Sequence, residues 1–118
     1  MAPKLKQVIV IRKDLKMRRG KEVAQGAHAS MKVVLENLEN PLVQEWLDEA
    51  FTKVCVSVDS EEELFSIYDE AKTSGIIAAI ITDSGLTEFA GVPTVTCAAI
   101  GPDWSDRIDL ITGHLKLR

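Results

Sequence analysis

The stretch that decides the fold is QVIVIR at residues 7–12, where β-branched apolar side chains follow one another with almost no polar interruption. Such a run is typical of a strand buried on both faces, as in a sheet covered by helices. Residues 76–81 (IIAAII) and 94–100 (TVTCAAI) have the same character, and residues 52–58 (TKVCVSV) alternate polar and apolar side chains. The sequence therefore predicts a sheet with a buried central strand.

Residues 20–38 predict a long helix after this first strand. On a helical wheel of about 100° per residue, one apolar stripe is expected to face the core. That stripe consists of Val23, Ala27, Met31, Val34 and Leu38. Residues 42–51, which follow Pro41, predict a second, short helix with Trp46 and Leu47 turned inward.

Two more helices are predicted in the second half of the chain. Ser60 and Glu63 form a capping box for a helix that runs to about Thr73. Gly75 is suited to end it. Residues 104–112 predict a closing helix, and residues 114–117 an extended tail.

The order β-α-α-β-α-β-β-α predicts the α/β class, with a mixed sheet and helices on both faces. The chain has 118 residues, enough for one hydrophobic core, and no repeat or linker divides it. A single domain over residues 1–118 is expected. The apolar runs are far shorter than the roughly 20 residues of a membrane span, and the N-terminus has no signal-peptide core. We therefore expect a cytoplasmic protein that does not enter a membrane.

The two cysteines, Cys55 and Cys97, each lie inside a predicted strand, with no histidine or second cysteine at metal-ligand spacing. We expect both to be buried free thiols, because cysteine behaves as a small apolar residue. The spacing predicts no metal site.

The charges are unevenly distributed. The net charge is −4, which argues against a protein that coats nucleic acid without specificity. One short segment is nevertheless strongly basic, and it contains Arg12, Lys13, Lys16, Arg18, Arg19 and Lys21. Together with the N-terminus of the following helix, this segment could bind a polyanion locally.

A polar stripe runs beside the apolar one on the first helix. Spacings of three and four residues bring its members, Lys21, Gln25, His28 and Lys32, to nearly the same side. Ligands of open α/β sheets usually lie outside the carboxyl ends of strands. Both the start of this helix and the turn at residues 82–87 follow strands, so we expect them to form the site.

Lys21, Asp83 and Thr87 carry the chemistry that this site could perform. A carboxylate can orient and partly deprotonate a water while a lysine stabilises an oxyanion, which suffices for ester hydrolysis without metal or cofactor. Each residue also has an ordinary structural explanation: a solvated lysine for Lys21, a simple Asx turn for Asp83 and Thr87, and a packed histidine for His28. No phosphate-binding glycine loop, zinc spacing or serine-esterase elbow is found.

Residues 8–28, VIVIRKDLKMRRGKEVAQGAH, resemble the signature of the type 2 peptidyl-tRNA hydrolases. The resemblance continues in order through VSVDSEEELFSIYDEAKTSGI, TDSGLTEFAGVPTVTCAAIGP and IDLITGHLKL, which covers nearly the whole chain. It implies hydrolysis of the ester between a peptide and the 3′ end of tRNA, without a metal, by a homodimer. It also implies a four-stranded mixed sheet flanked by helices.

The resemblance also assigns residues. It implies that Asp83 activates or orients the attacking water, that Thr87 holds that water or the ester, and that Lys21 stabilises negative charge. Gln25 and His28 match the family's polar helix residues and are expected to bind substrate. As a separate hypothesis, Lys16, Arg18 and Arg19 contact tRNA phosphates.

The sequence departs from the family pattern in the turn, where Leu86 replaces a usual arginine and Glu88 a common glutamine. Losing a cation and gaining a carboxylate should weaken contact with a polyanion. Two other functions therefore remain open: hydrolysis of another acyl ester or amide, and a non-catalytic module that binds RNA or an acidic protein. A purely structural role would leave the polar stripe without a purpose.

Overall fold

Strands and helices alternate in the computed structural model, which describes residues 2–85 and 89–118. The strands are β1 (Leu5–Arg12), β2 (Lys53–Val58), β3 (Ala78–Asp83) and β4 (Thr94–Trp104). The helices are α1 (Arg19–Glu36), α2 (Pro41–Asp48), α3 (Glu61–Thr73) and α4 (Ser105–Thr112). All the predicted elements are present with their ends shifted by a few residues, and a 3₁₀ helix at Lys13–Leu15 was not predicted.

The four strands form one mixed sheet in the order β2-β1-β4-β3. β1 pairs parallel with β2, with Val10 opposite Val56. β4 pairs antiparallel with both β1 and β3, so that Ala98 lies between Val10 and Ile80. The predicted α/β class with a four-stranded mixed sheet is confirmed, and the first and last strands are its two central strands.

The end of the C-terminal tail lies along the outer edge of β2. The extended tail was predicted to begin at residue 114, but residues 113–115 turn, with the Leu115 N–H donating to the Thr112 carbonyl at 3.0 Å, and only the residues after Leu115 run along the strand. Leu117 forms a single antiparallel bridge with Val56. The Ser57 N–H donates to the Lys116 carbonyl at 2.9 Å, and the Arg118 N–H donates to the Cys55 carbonyl at 3.0 Å. The tail therefore supplies partners to backbone groups of this edge strand.

Helices cover both faces of the sheet, as expected. On one face, α3 and α4 pack against the strands, and the core there includes Val8, Val10, Leu64, Ile67, Ile100 and Ile108. On the other face lies α1, whose Ala29 and Val33 pack with Ile11, Cys97 and Ala99. Trp46 of α2 is also buried, and its Nε1 donates to the Thr52 carbonyl at 2.9 Å.

The prediction for the buried side of α1 was wrong. Val23 is 68% exposed and Met31 is 64% exposed, and Leu38 is exposed as well. The buried side instead consists of Gln25, Gly26, Ala29, Ser30 and Val33.

The physical reason is that α1 approaches the sheet closely through small residues. A Cβ on Gly26 would already lie 3.4 Å from Cγ2 of Ile9, so larger side chains cannot face the sheet there. The polar residues on this side are satisfied internally: the Ser30 hydroxyl donates to Gln7 Oε1 at 2.6 Å, and Gln7 Nε2 donates to the Gly101 carbonyl at 3.1 Å. Close approach and hydrogen bonding therefore replace apolar bulk on this face.

Two further burial predictions were wrong, those for Leu47 and Cys55. Leu47 is 43% exposed because only the Trp46 side of α2 faces the protein. Cys55 is exposed, whereas Cys97 is buried as predicted. α1 packs mainly over β4, β3 and β1, so β2 has little helical cover on this side.

The start of α3 has the predicted cap. The Glu63 N–H donates to the Ser60 hydroxyl at 3.1 Å. The Glu63 carboxylate accepts from the Asp59 N–H at 3.3 Å, one residue earlier than in the ideal capping box. Among the described helices, none has the length and hydropathy needed to cross a bilayer.

Candidate active site

Lys21 and Asp83 meet where the start of α1 passes the end of β3. Lys21 Nζ lies 2.6 Å from Asp83 Oδ1, and the two side chains are 16% and 10% exposed. Asp83 is the last residue of β3, and Lys21 lies in the first turn of α1, so each charge is positioned by a different element. Both charges are thus held close together and mostly buried at the carboxyl end of a strand.

The second oxygen of Asp83 is also engaged. Oδ2 accepts a hydrogen bond from the Gly85 N–H at 2.8 Å, which closes an Asx turn. The hydrogen bond from Lys21, followed by that from Gly85, lowers the pKa of Asp83 below its usual value against the opposing effect of burial. Asp83 is therefore an anion throughout the neutral pH range.

Gly85 fits this turn because of its backbone conformation. Its φ is +86°, and a Cβ there would collide with the backbone of Val92. The Gly85 carbonyl accepts from the Gly91 N–H at 2.8 Å, which ties together two parts of the segment between β3 and β4. Leu86, Thr87 and Glu88 lie outside the described residues, so the expectation for Thr87 stays a prediction.

Lys21 also faces an aromatic ring. Its Nζ lies 6.0 Å from the centre of the Phe89 ring, at the outer limit of a cation–π contact. Phe89 is partly buried and packs against the core on the α1 face of the sheet, which includes Ile11, Cys97 and Ala99. The ring therefore shields one side of the lysine with apolar surface.

The polar stripe of α1 faces β3 and β4, but its members differ in burial. Gln25 is 4% exposed, and its Oε1 accepts from the Thr96 hydroxyl at 2.5 Å. His28 is exposed, and its charge contributes to the lowered pKa of Asp83. Lys32 Nζ donates to the Ile80 carbonyl at 2.9 Å.

The basic segment divides into two parts. Arg12 binds Asp14 through two hydrogen bonds of 2.7 and 3.2 Å, and Lys13 lies 3.2 Å from Asp59. The second part, Lys16, Arg18 and Arg19, has exposed side chains immediately before and within the first turn of α1. These three cations are therefore open to solvent around the start of α1, and Arg19 lines a groove with Glu22 and Arg118 on the β2 side of that helix.

The sequence reasoning did not identify Thr96. It is fully buried in β4 and makes the hydrogen bond to Gln25. The available signal was a hydroxyl inside the otherwise apolar run of residues 94–100, since a buried polar group requires a partner.

This arrangement has the parts that ester hydrolysis needs. A fixed carboxylate can orient a water molecule, and an adjacent ammonium group can stabilise an oxyanion. Both lie in a partly dehydrated position, where electrostatic interactions are stronger than in bulk water.

Comparison with known proteins identifies the family of this chain. The family model described as peptidyl-tRNA hydrolase PTH2 matches residues 5–118. A protein of Methanocaldococcus jannaschii named peptidyl-tRNA hydrolase is 49% identical over 115 residues, which cover 96% of this chain and 99% of that protein. Proteins of the same name from Methanothermobacter thermautotrophicus and Haloquadratum walsbyi are 46% and 43% identical, each covering 96% of this chain and 99% of its own length. The chain therefore belongs to the peptidyl-tRNA hydrolase PTH2 family.

Proposed function

We propose that this protein hydrolyses the ester bond between a peptide and tRNA, which releases free tRNA. The observation that carries the proposal is the 2.6 Å pair of Lys21 and Asp83, in a chain whose relatives are named peptidyl-tRNA hydrolase. Family membership indicates the substrate, and the pair supplies a chemical route that requires only water as co-substrate.

Asp83 is proposed to hold the attacking water. Its lowered pKa makes it a weak base, so its main contribution is to orient the water by accepting a hydrogen bond. The bonds from Lys21 and Gly85 fix the carboxylate before substrate arrives, which avoids the cost of reorganisation during the reaction.

Lys21 is proposed to stabilise the negative charge that develops on the ester oxygen. The water oxygen bonds to the carbonyl carbon, the bond to the ribose 3′ oxygen breaks, and the proton lost by the water ends on that leaving oxygen. Thr87 is proposed to hold the water or the ester beside this centre.

The remaining polar residues are proposed to bind substrate. Gln25 and His28 lie one and two turns after Lys21 on α1 and are suited to contact the acyl group or the terminal nucleotide. Lys16, Arg18 and Arg19 are exposed cations just before and within the first turn of α1 and are proposed to contact tRNA phosphates. Changing Arg18 and Arg19 together to alanine should lower the salt dependence of tRNA binding, and an unchanged salt slope would remove this assignment.

The central experiment measures release of tRNA from an N-blocked aminoacyl-tRNA by wild type and Asp83→Asn. The asparagine keeps the shape of the side chain but loses its charge, so we expect kcat/KM to fall by about a hundredfold or more. Asp109→Asn is the matched control, because Asp109 forms a 2.7 Å ion pair with Lys6 at an exposed position away from the site. No turnover by folded wild type would refute the proposed reaction, and full activity of Asp83→Asn would refute the role of Asp83.

A homodimer is also proposed, and it is supported by exposed apolar side chains. We call these the α1–α2 apolar surface, which consists of Val23, Met31, Leu35, Leu47 and Phe51. A cavity of about 600 Å³ between the two helices is lined by Met31, Leu47 and Phe51 over a floor that includes Ile9 and Trp46. Contiguous apolar surfaces of this kind mark contacts with other proteins.

The proposed substrate also supports a cytoplasmic location.

The dimer can be tested with one substitution and its control. Met31→Glu should convert the dimer to a monomer in sedimentation velocity, because it places a charge in the α1–α2 apolar surface. Leu110→Glu makes the same kind of change at an 82% exposed leucine of α4, on the opposite face of the sheet, and should leave the dimer intact. A wild-type monomer, or equal behaviour of the two variants, would contradict the proposal.

A further inference from the structure

The strands β3 and β4 change register next to the candidate site. Ile81 pairs with Cys97, but the next residue of β3, Thr82, pairs with Val95. Thr96 therefore has no partner in β3, which makes it the extra residue of a β-bulge. On β3, the strand paired with the bulge, the residue just past the shift is Thr82, which immediately precedes Asp83.

The bulge changes the direction of the Thr96 side chain. In a regular strand, successive side chains point to opposite faces. Along β4, Cys97 and Ala99 face α1, while Ala98 and Ile100 face α3 and α4. Regular alternation would turn Thr96 away from α1, yet its hydroxyl reaches Gln25 of that helix.

Two hydrogen bonds join this part of β4 to α1, and a third joins it to β1. The Thr96 hydroxyl donates to Gln25 Oε1 at 2.5 Å, and the Cys97 thiol donates to the Gln25 carbonyl at 3.3 Å. The Arg12 guanidinium donates to the Val95 carbonyl at 2.9 Å, which satisfies a backbone group where β1 no longer pairs with β4. The bulge is therefore hydrogen-bonded both to α1 and to Arg12 of β1.

The bond from Thr96 determines which end of the Gln25 carboxamide remains available. A carboxamide has an acceptor oxygen and a donor nitrogen with two hydrogens. The oxygen is taken by Thr96. In the described part of the chain, no fully buried side-chain nitrogen or oxygen lacks a partner, and no hydrogen bond of Gln25 Nε2 is found there, so Nε2 touches solvent.

We propose that Thr96 is a positioning residue, which orients the Gln25 carboxamide so that its Nε2 group donates a hydrogen bond to the ester or terminal ribose of the substrate. Gln25 lies one turn after Lys21 on the same side of α1, so its donor is close to the bond that breaks. The inference rests on the proposed hydrolase function. Without the Thr96 hydroxyl, the carboxamide can rotate and present oxygen to an acceptor on the substrate.

The test compares kcat/KM for N-blocked aminoacyl-tRNA among Thr96→Val, Thr96→Ser and wild type. Valine keeps the shape of threonine without the hydroxyl, and we expect a loss of about tenfold, the upper range for one uncharged hydrogen bond. Serine keeps the hydroxyl and should restore most of the activity. Thr112→Val is the matched control: this buried hydroxyl of α4 donates to the Ile108 carbonyl at 3.2 Å, away from the site, and its loss should leave kcat/KM unchanged.

A double-mutant cycle separates positioning from a general structural effect. Gln25→Met removes the carboxamide, so adding Thr96→Val to it should cause no further loss of kcat/KM. Additive losses would overturn the proposal, as would full activity of Thr96→Val. If Thr96→Val does not fold, Thr96→Ala carries the same predictions without the added methyl group.

A measurement without substrate keeps the inference separate from the proposed function. In a ¹⁵N relaxation experiment, the side-chain NH₂ of Gln25 should be rigid in wild type and Thr96→Ser, and mobile in Thr96→Val. Equal mobility in all three proteins would overturn the proposal even if the protein hydrolyses peptidyl-tRNA. A third outcome is possible, in which the Gln25 NH₂ is rigid in wild type and mobile in Thr96→Val, but wild type does not release tRNA. That result would refute the hydrolase function and, with it, the role of Gln25 toward that substrate.

Discussion

The Lys21→Met substitution tests the central pair most directly, because it removes the ammonium group and keeps an apolar stem of similar length. Two unit charges 2.6 Å apart have a gross Coulomb energy of about 6 kcal/mol at an effective dielectric constant of about 20. In the reaction, Lys21 divides its charge between Asp83 and the developing oxyanion, so about half of this energy, roughly 3 kcal/mol, is available to the transition state. At about 1.4 kcal/mol per factor of ten, kcat/KM should fall by about 150-fold.

The same substitution should change the pH dependence. The hydrogen bond from Lys21 is the main cause of the lowered pKa of Asp83. In wild type, the stabilisation from the pair is complete above the ordinary carboxyl pKa of about 4, and it is lost as the pH falls through the lowered value. In Lys21→Met, burial opposes the charge with less compensation, so the pKa of Asp83 rises and the acid limb of kcat/KM moves to higher pH.

The assay combines the pH profile of tRNA release with the ¹³C chemical shift of the Asp83 carboxyl carbon, which reports its ionisation without substrate. Lys6→Met is the matched control, because Lys6 forms a 2.7 Å pair with the exposed Asp109. An Asp83 titration at the same pH in wild type and Lys21→Met would refute the electrostatic reasoning. A loss of less than about threefold in kcat/KM would show that Lys21 does not act on the transition state.

Three further predictions follow from other contacts. Gly85→Ala should abolish most activity while the sheet stays folded, because a Cβ there collides with the backbone of Val92 and displaces the N–H that binds Asp83; wild-type activity would contradict the role of this turn. A thiol reagent should label Cys55 alone in the native protein, because its side chain is exposed, but more slowly than a free cysteine at neutral pH, because partial desolvation of the thiol and the charge of Glu22 raise the pKa of Cys55. Cys97 is buried with a pKa raised to about 11 and should react only after unfolding, so labelling of both thiols in the native state would count against this packing. Leu64→Ala should lower the free energy of unfolding by about 2–5 kcal/mol in urea titrations, because Leu64 is fully buried; Phe65→Ala at the neighbouring, 37% exposed position should have a much smaller effect.

The order of elements was predictable because the strands are long apolar runs separated by helical patterns. Residues 7–12, for example, are apolar on both sides, and the structure places them in the interior strand β1. The meeting of Lys21 with Asp83 follows from the rule that strand ends form the site in α/β sheets. Asp83 and the start of α1 both satisfy that rule from sequence position alone.

The orientation of α1 was not predictable from hydrophobicity. A helical wheel ranks faces by apolar character, which favours the stripe containing Val23 and Met31. The structure instead buries the side with Gly26, because small residues allow the helix to approach Ile9. An apolar stripe that binds another subunit and one that fills the core have the same pattern.

Thr96 was missed for a different reason. Period-two alternation assigns each residue of a strand to one face, and Thr96 then belongs on the side away from α1. The bulge depends on the hydrogen-bond register between β3 and β4, which involves residues far apart in the chain. Local sequence patterns contain no information about that register.

The central position of β1 and β4 has a consequence for how the protein is made. Gln7 donates to the carbonyl of Gly101, 94 residues later, and the two strands that form the middle of the sheet come from opposite ends of the described chain. Contacts between distant residues slow folding because a long loop must close before they form. During synthesis, β1 and β2 can pair early, but the core stays open until β4 has emerged. Fragments that stop before residue 94 should therefore remain unfolded and sensitive to proteases, however many of the earlier helices and strands they contain.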